Sequence, residues 1–322
     1  MSGALSIPEA TAGARILAFG DYRPARVVTN DEIAQTVETD DAWIRSRVGI
    51  AERRIAGDDE GIVELGVHAG GKALAGSGLA PSDIDLVILA TCSAESPMPG
   101  HAAQVAHRLG IGAPGAFDIN AACAGFCYAL ATASAAVRAG SARNVLVVGS
   151  EKMSQWIDWT DRSTCIIFAD GAGAAVVTGS ESPGIGPVVW GSAGDKYDKI
   201  IIEDRHSFIR QEGQAVFRWA TSAIAPIAVE ACERAGVKPQ DLAAVVPHQA
   251  NLRIIEAIAR KVKATDAVVA DDIVQSGNTS GASIPLALSR MIERGDVPSG
   301  APALLVGFGA GLSYAAQVIQ IP

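Results

Sequence analysis

The 322-residue sequence predicts a layered α/β protein in which one βα architecture occurs twice. Hydrophobic residues make up 49% of the chain, which is enough for a large core. Aromatic residues make up only 5%, and glycines number 34. This composition is typical of helices and sheets that pack closely through small side chains.

Repeated strand and turn patterns support the duplication. Gly78 and Gly236 are 158 residues apart, and each is followed by a Pro-x-Asp turn and a strand of apolar residues. Gly149 and Gly307 end two further strands at the same offset of 158. The order of these signals along the chain is therefore the same in both parts.

Two helix ends give a slightly different offset, since Gly140 and Gly295 are 155 residues apart. We expect two halves, residues 1–180 and residues 181–322, which meet at the Ser-Pro-Gly-rich stretch 180–187. Coincidence among common strand and helix patterns is the alternative interpretation.

Charge and cysteine content exclude several classes of protein. A net charge of −9 argues against general nucleic-acid binding, because phosphate contacts need many Lys and Arg side chains. The five cysteines form no CxxC pair and are odd in number, so we expect neither a disulfide framework nor a metal site. A reducing cytoplasm is the simplest compartment.

No export signal or membrane span is expected. The N-terminal segment MSGALSIPEATAGARI has acidic and proline residues where a signal peptide has basic and then apolar ones. Residues 119–137 and 299–322 lack charges, but their Asn, Ser, Thr and Gly content favours a buried helix and a buried strand pair.

Cys123 is the candidate nucleophile. It lies where the strand-like segment 116–119 meets a helix-forming run rich in alanine and glycine. A lone cysteine is more often a small buried apolar residue. A helix N-terminus, however, favours thiolate over thiol, and the small neighbours leave room for a substrate. Cys127 lies one turn further on and is expected to be a packing residue, whereas Cys92 is interpreted as a core or loop residue.

His248 and Asn278 are the candidate partners of this thiol. His248 directly follows an apolar strand and Pro247, and Asn278 lies in Gly-Asn-Thr-Ser, where a helix cap is the alternative role. An offset of 155 would make Asn278 the equivalent of Cys123, and an offset of 158 makes His248 the equivalent of Ala90. An imidazole and a carboxamide can both donate to one developing oxyanion.

Two glycine clusters, residues 170–175 and residues 307–312, do not fit a dinucleotide-binding fingerprint. Such a fingerprint needs a helix after the glycines, whereas strands are predicted after both clusters. The second cluster is better suited to bring backbone N–H groups near a reacting carbonyl.

Basic side chains cluster on one predicted helix, residues 252–262. Arg253 and Arg260 are seven residues apart on one face, with Lys261 adjacent. An ordinary solvated face and a docking surface for an acidic partner are equally compatible with this pattern.

Three motifs make the chain resemble the β-ketoacyl-acyl carrier protein synthase III family of the thiolase superfamily. They are Ala-Cys-Ala-Gly-Phe at 122–126, Pro-His-Gln-Ala-Asn at 247–251 and Gly-Asn-Thr-Ser at 277–280. The resemblance spans essentially the whole chain. It implies a thiolase-like five-layer αβαβα homodimer with Cys123, His248 and Asn278 as catalytic residues.

The resemblance also implies a reaction. Cys123 would take an acyl group from acyl-CoA, and malonyl-acyl carrier protein would then lose CO2 to give an enolate held by His248 and Asn278. The enolate would attack the acyl-cysteine, with the backbone N–H groups of Cys123 and Ala310 as oxyanion hole. Covalent thiol chemistry of this kind needs no metal or redox cofactor.

Further residues gain roles only from the resemblance. It assigns Thr39, Trp43, Arg47 and Arg162 to CoA binding, where an indole and guanidinium groups suit adenine and phosphate. Met98 is expected to close the acyl pocket of the partner subunit. Arg253, Arg260 and Lys261 match the family's docking surface for acyl carrier protein.

The resemblance leaves substrate choice open. An initiating enzyme of fatty acid synthesis is the leading hypothesis, and a starter-unit enzyme of a polyketide or other specialised pathway is the alternative. A non-catalytic scaffold of the same fold is the third hypothesis. Residues 194–213 form a shorter segment than in several relatives, which affects the expected substrate entrance.

Overall fold

The computed structural model describes residues 10–322. The first nine residues of the N-terminal segment, where no export signal is expected, lie outside the described residues. The strands are β1 (Gly13–Tyr22), β2 (Arg26–Thr29), β3 (Glu52–Ile55), β4 (Leu86–Ala90), β5 (Gly115–Ile119), β6 (Asn144–Lys152), β7 (Asp170–Ser180), β8 (Val189–Ser192), β9 (Ile200–Ile201), β10 (Arg210–Gln211), β11 (Ala244–Pro247), β12 (Val268–Val269), β13 (Pro302–Gly309) and β14 (Ser313–Gln320). The helices are α1 (Asn30–Ile33), α2 (Asp41–Val48), α3 (Ile62–Ser77), α4 (Ala102–Arg108), α5 (Gly125–Arg138), α6 (Arg162–Cys165), α7 (Gly213–Ala235), α8 (Leu252–Val262), α9 (Ile273–Ser276) and α10 (Ser283–Arg294).

Two five-stranded sheets share one topology. The first has the order β1-β7-β6-β4-β5, and the second has the order β8-β14-β13-β11-β12. In both sheets the last three strands run parallel and the first two pairings are antiparallel. The connections between parallel strands run through helices, because parallel strands need a crossover.

The sheets and helices form five layers. Helices α3 and α4 cover the outer face of the first sheet, and α7 and α8 cover the outer face of the second. Between the sheets lie α5 and α10, whose apolar residues join both inner faces in one core. A helix buried on all sides needs an apolar surface all round, which explains the uncharged stretch in α5. This arrangement is the thiolase-like αβαβα fold.

Glycines permit the closest approaches between layers. A Cβ atom at Gly173 in β7 would lie 2.4 Å from the backbone nitrogen of Leu286 in α10. The first glycine cluster therefore belongs to a buried strand against a central helix, and the second leads from β13 into β14. The predicted strands after both clusters are confirmed. None of the helices in residues 10–322 combines the length and hydropathy of a transmembrane segment.

Candidate active site

The turns before α5 and α10 have the same backbone design. Asn120 Oδ1 accepts from the N–H of Ala122 at 3.1 Å, and Asn278 Oδ1 accepts from the N–H of Ser280 at 2.9 Å. Ala122 and Ser280 have left-handed φ values of 46° and 48°, which are uncommon outside glycine, and each begins a short 3₁₀ turn. These two asparagines, like the two left-handed residues, are 158 residues apart.

This offset of 158 between the two turns corrects one prediction made from the sequence. Asn278 is equivalent to Asn120, and the position equivalent to Cys123 is Gly281, so the expectation that Cys123 and Asn278 are equivalent is wrong. The physical reason is helix length: α5 has 14 residues and α10 has 12, so the offset changes inside the helices and not before them.

Cys123 lies in the 3₁₀ turn at the start of α5, as its position in the sequence predicts, and is 9% exposed. Its Sγ is 3.4 Å from Ser280 Oγ. Gly309 faces it from the end of β13, where a Cβ atom would lie 2.8 Å from the sulfur. The room for the cysteine side chain therefore depends on this glycine.

The expectation of a thiolate at rest is wrong. Burial, together with the nearby Glu151 carboxylate, raises the pKa of the Cys123 thiol to about 11. The Ser280 hydroxyl and the backbone N–H groups of Ala310 and Cys123 act in the opposite direction but do not outweigh burial. The resting residue is a thiol that two backbone N–H groups are placed to polarise.

His248 is a neutral imidazole. It is 2% exposed, and burial lowers its pKa to about 3. Its Nδ1 lies 2.7 Å from Ser283 Oγ, and that oxygen also accepts from the N–H of Gln249 at 3.2 Å. The Phe308 ring meets the imidazole edge-on at 5.4 Å between centroids. These contacts fix the ring and leave Nε2 as the nitrogen available to a substrate.

Asn278 is 5% exposed and is held by its backbone on both sides. Its N–H donates to the Ile167 carbonyl at 3.0 Å, and its carbonyl accepts from the N–H of Ala169 at 2.9 Å. Because Oδ1 is engaged by Ser280, the Nδ2 group is the free donor of the carboxamide.

Cys123, His248 and Asn278 meet at one cavity of about 350 Å³. The rest of its wall is mainly apolar, with Ile167, Phe168, Ile200, Ile201, Ile202, Ile209, Val216, Phe217, Ile254 and Phe308. Several of these come from the segment 194–213 that was expected to shape the entrance. A mainly apolar cavity with a few convergent polar groups suits an acyl chain or pantetheine arm.

Three of the residues predicted to bind CoA lie together around Trp43, and one of them contacts the cavity wall. The guanidinium carbons of Arg162 and Arg47 lie 4.8 and 5.5 Å from the centre of the Trp43 ring. Thr39 Oγ1 is buried without a hydrogen-bond partner among the described residues. The cavity-lining Asn251 donates to the Arg47 carbonyl at 3.1 Å, which ties α2 to the cavity wall.

The remaining predicted residues lie further out. Arg253, Arg260 and Lys261 are exposed on α8. The guanidinium of Arg253 lies over Phe217, 5.4 Å from its centre, and Lys261 Nζ donates to the Thr221 carbonyl. Met98 is 82% exposed and does not reach the cavity.

Sequence reasoning missed four polar residues of the site. Ser280 and Ser283 follow Asn278 closely, so the Asn-Thr-Ser-Gly-Ala-Ser run was the available signal. Cys92, interpreted as a core or loop residue, lines the cavity with its Sγ 3.2 Å from Ser280 Oγ. The fully buried Glu151 had no signal in the sequence, because its partners come from two distant segments, residues 91–93 and Gly281.

A duplicated αβαβα fold, with a cysteine, a neutral histidine and an asparagine around one apolar cavity, defines a thiolase-like condensing enzyme. Comparison with known families agrees. The family model of 3-oxoacyl-[acyl-carrier-protein] synthase III matches residues 117–194, and its C-terminal counterpart matches residues 232–321. The chain belongs to this family of acyltransferases, the β-ketoacyl-[acyl-carrier-protein] synthases III.

Individual relatives cover nearly the full length. β-Ketoacyl-[acyl-carrier-protein] synthase III 4 of Streptomyces coelicolor is 58% identical over 96% of this chain and 99% of its own. The priming β-ketosynthase of the R1128 polyketide pathway has a TM-score of 0.96 at 44% identity, covering 99% of both chains. 3-Oxoacyl-[acyl-carrier-protein] synthase III of Aquifex aeolicus has a TM-score of 0.92 at 40% identity, covering 96% of this chain and 100% of that chain.

Proposed function

We propose that this chain condenses a short-chain acyl group from acyl-CoA with malonyl-acyl carrier protein and thereby initiates fatty acid synthesis. The observation that carries the proposal is the convergence of Cys123, His248 and Asn278 on one apolar cavity. His248 is neutral and Asn278 Nδ2 is free, as decarboxylation needs, whereas the Cys123 thiol loses its proton in the acylation step.

The first step is transfer of the acyl group. Cys123 Sγ loses its proton and attacks the thioester carbonyl, and the C–S bond to CoA breaks. The CoA sulfur takes up a proton, so the protons balance. Trp43, Arg47, Arg162 and Thr39 hold the nucleotide end of CoA, and the contacts of the two guanidinium groups with the Trp43 ring support this role.

The second step is decarboxylation of the malonyl group. The C–C bond to the carboxylate breaks, CO2 leaves, and the electron pair moves to the thioester oxygen to give an enolate. The Ser283 hydroxyl has its only acceptor among the described residues at His248 Nδ1, which places the ring proton on Nε2. Nε2–H and Asn278 Nδ2 then donate to the enolate oxygen.

The third step forms the product. The enolate carbon attacks the acyl-cysteine carbonyl, and the resulting oxyanion accepts from the backbone N–H groups of Cys123 and Ala310. The C–S bond breaks, β-ketoacyl-carrier protein leaves, and the sulfur is protonated again. A neutral histidine suits this sequence, because an imidazolium could transfer a proton to the enolate and quench it.

We also propose how the chain is divided and assembled. Residues 1–180 and 181–322 are duplicated halves, which the matching sheet orders support. The enzyme is a cytoplasmic homodimer. The exposed Met98 closes the partner's acyl pocket, and neighbouring Pro97 lines a second cavity together with Cys92. Exposed Arg253, Arg260 and Lys261 dock the acidic carrier protein.

The test is product analysis with purified enzyme, a short-chain acyl-CoA and malonyl-acyl carrier protein. We expect one CO2 and one β-ketoacyl-carrier protein for each CoA released. Release of CoA without CO2 would contradict the condensing function, and the absence of both would support the scaffold hypothesis.

A second candidate is priming of a polyketide or another specialised pathway. The full-length similarity to a priming ketosynthase favours it specifically. Rates with acetyl-, isobutyryl- and longer acyl-CoA donors, measured with carrier proteins from both kinds of pathway, separate the two. Preference for a fatty-acid-type carrier supports the first function, and rejection of that carrier supports the second.

A further inference from the structure

Glu151 is a fully buried carboxylate near the end of β6, and the mechanism above does not use it. It accepts from the hydroxyls of Thr91 and Ser93 at 3.1 and 2.5 Å and from the backbone N–H groups of Cys92 and Ser93 at 3.1 Å each. From the other half it accepts the N–H of Gly281 at 3.2 Å. One side chain thus ties the loop after β4 to the turn before α10.

The same carboxylate leads to the nucleophile through a chain of contacts. Cys92 Sγ lies 3.3 Å from Glu151 Oε1 and 3.2 Å from Ser280 Oγ. Ser280 Oγ in turn lies 3.4 Å from Cys123 Sγ. Each link is a hydrogen-bonding contact between buried or half-buried groups, so the charge of Glu151 acts on the sulfur through a medium with little water.

No described cation neutralises Glu151, since none of the salt bridges found in residues 10–322 includes it. Burial outweighs the Ser93, Cys92 and Gly281 donors and raises the pKa of Glu151 on balance. The contacts of its two oxygens are nevertheless with hydrogen-bond donors, which is the arrangement that an ionised carboxylate requires. The other titratable groups around Cys123 are Cys92, Cys127 and His248. Burial raises the pKa of both thiols and lowers that of His248, so these three are uncharged at neutral pH.

We propose that Glu151 is a positioning residue for the condensing reaction: it holds Cys92 and Ser280 around the Cys123 sulfur, and its negative charge keeps that sulfur protonated at rest. The inference rests on the proposed function only in naming Cys123 as the nucleophile. A protonated thiol resists oxidation, because susceptibility follows thiolate character.

The test is the alkylation of Cys123 by iodoacetamide at pH 8, followed by peptide mass spectrometry that separates Cys123 from Cys92. Glu151→Gln removes the charge at nearly constant volume. A neighbouring unit charge shifts a thiol pKa by on the order of one unit in such surroundings. The larger thiolate fraction, offset by lower intrinsic nucleophilicity, predicts alkylation about threefold faster than in the wild type.

Thr91→Val is the matched control, because it removes one hydrogen bond to Glu151 and leaves the charge. We expect its alkylation rate to equal that of the wild type. An unchanged or slower rate in folded Glu151→Gln, or equal acceleration in Thr91→Val, overturns the proposal.

If Glu151→Gln does not fold, the triple variant Glu151→Leu, Thr91→Val, Ser93→Ala removes the charge together with two of its donors and must show the same acceleration. Alkylation needs no acyl-CoA. A missing rate change therefore counts against Glu151 alone, whereas a missing acyl adduct on Cys123 counts against the proposed function.

Discussion

The turns before α5 and α10 share a backbone and differ in chemistry. Both begin with an asparagine whose Oδ1 caps a left-handed residue. The first then carries the thiol of Cys123, and the second has Gly281 at the equivalent position and the hydroxyl of Ser280 before it. One structural device therefore presents a nucleophile in one half and hydrogen-bonding groups in the other.

The residues that face these two turns, Gly309 and Glu151, also differ. Gly309 at the end of β13 leaves space for Cys123, and Glu151, 158 residues earlier, places its carboxylate against Gly281. A Cβ atom at Gly281 would lie 3.0 Å from Glu151 Oε1, whereas one at Gly309 would lie 2.6 Å from Cys123 Cβ. In both contacts the first half supplies the side chain, Cys123 or Glu151, and the second half supplies the glycine that leaves room for it.

The ends of β4 and β11 differ in the opposite direction, and this difference gives the largest predicted effect. His248 occupies the position of Ala90 in the first half. Replacing His248 by alanine should slow decarboxylation of malonyl-carrier protein by about 10²–10⁴-fold, because a positioned donor to the enolate is lost. The acyl adduct on Cys123 should still form. Release of labelled CO2 measures the effect, and an undiminished rate would remove His248 from this role.

The two asparagines differ in their expected effect on decarboxylation. Asn278→Ala should lower decarboxylation by about 10²–10³-fold through loss of the Nδ2 donor. Asn120→Ala loses the equivalent cap but no donor to the enolate, so its decarboxylation rate should fall by less than about tenfold. The rate of CO2 release is measured for both variants. An equal decrease in the two would mean that the reaction needs the asparagine cap and not the Nδ2 donor.

A substitution at Gly309 tests whether Cys123 needs the space that this glycine leaves. Gly309→Ala places a methyl group against Cys123 in extended backbone with φ of 174°, so contact and not backbone strain is the cause of the effect. We expect acylation about 10²-fold slower and a destabilisation of about 1–3 kcal/mol. Gly112→Ala, where nothing lies within 4 Å, is the control. Wild-type acylation in Gly309→Ala would show that the turn moves freely.

The two half-reactions should differ in pH dependence. Because the Cys123 pKa is raised to about 11, the thiolate fraction grows about tenfold for each pH unit between 7 and 10. Because the His248 pKa is lowered to about 3, the imidazole stays neutral across this range, and decarboxylation should stay flat between pH 5.5 and 8. Iodoacetamide rates and CO2 release measure the two profiles. An inflection near pH 6.5 in decarboxylation would contradict a neutral buried imidazole.

Much of the site was predictable because its residues carry local signals. Cys123, His248 and Asn278 all lie after strand ends or before helices, which is where α/β sheets bind their ligands. The strands after the glycine clusters were predictable from β-branched and small residues.

The remaining features depend on tertiary contacts that the sequence does not display. Glu151 meets Gly281 130 residues away, and Ser283 meets His248 35 residues away. The direction of the Cys123 pKa shift follows from burial and from Glu151, so the helix start alone predicted the wrong sign. The register between Asn120 and Asn278 required the lengths of α5 and α10.

The most direct measurement is the intact mass of the protein after mixing with acyl-CoA. The wild type and Cys127→Ala, in which a buried cysteine one turn further along α5 is replaced, should each gain the mass of one acyl group. Cys123→Ala should gain none. An adduct that survives in Cys123→Ala, or no adduct in the wild type, would contradict the account.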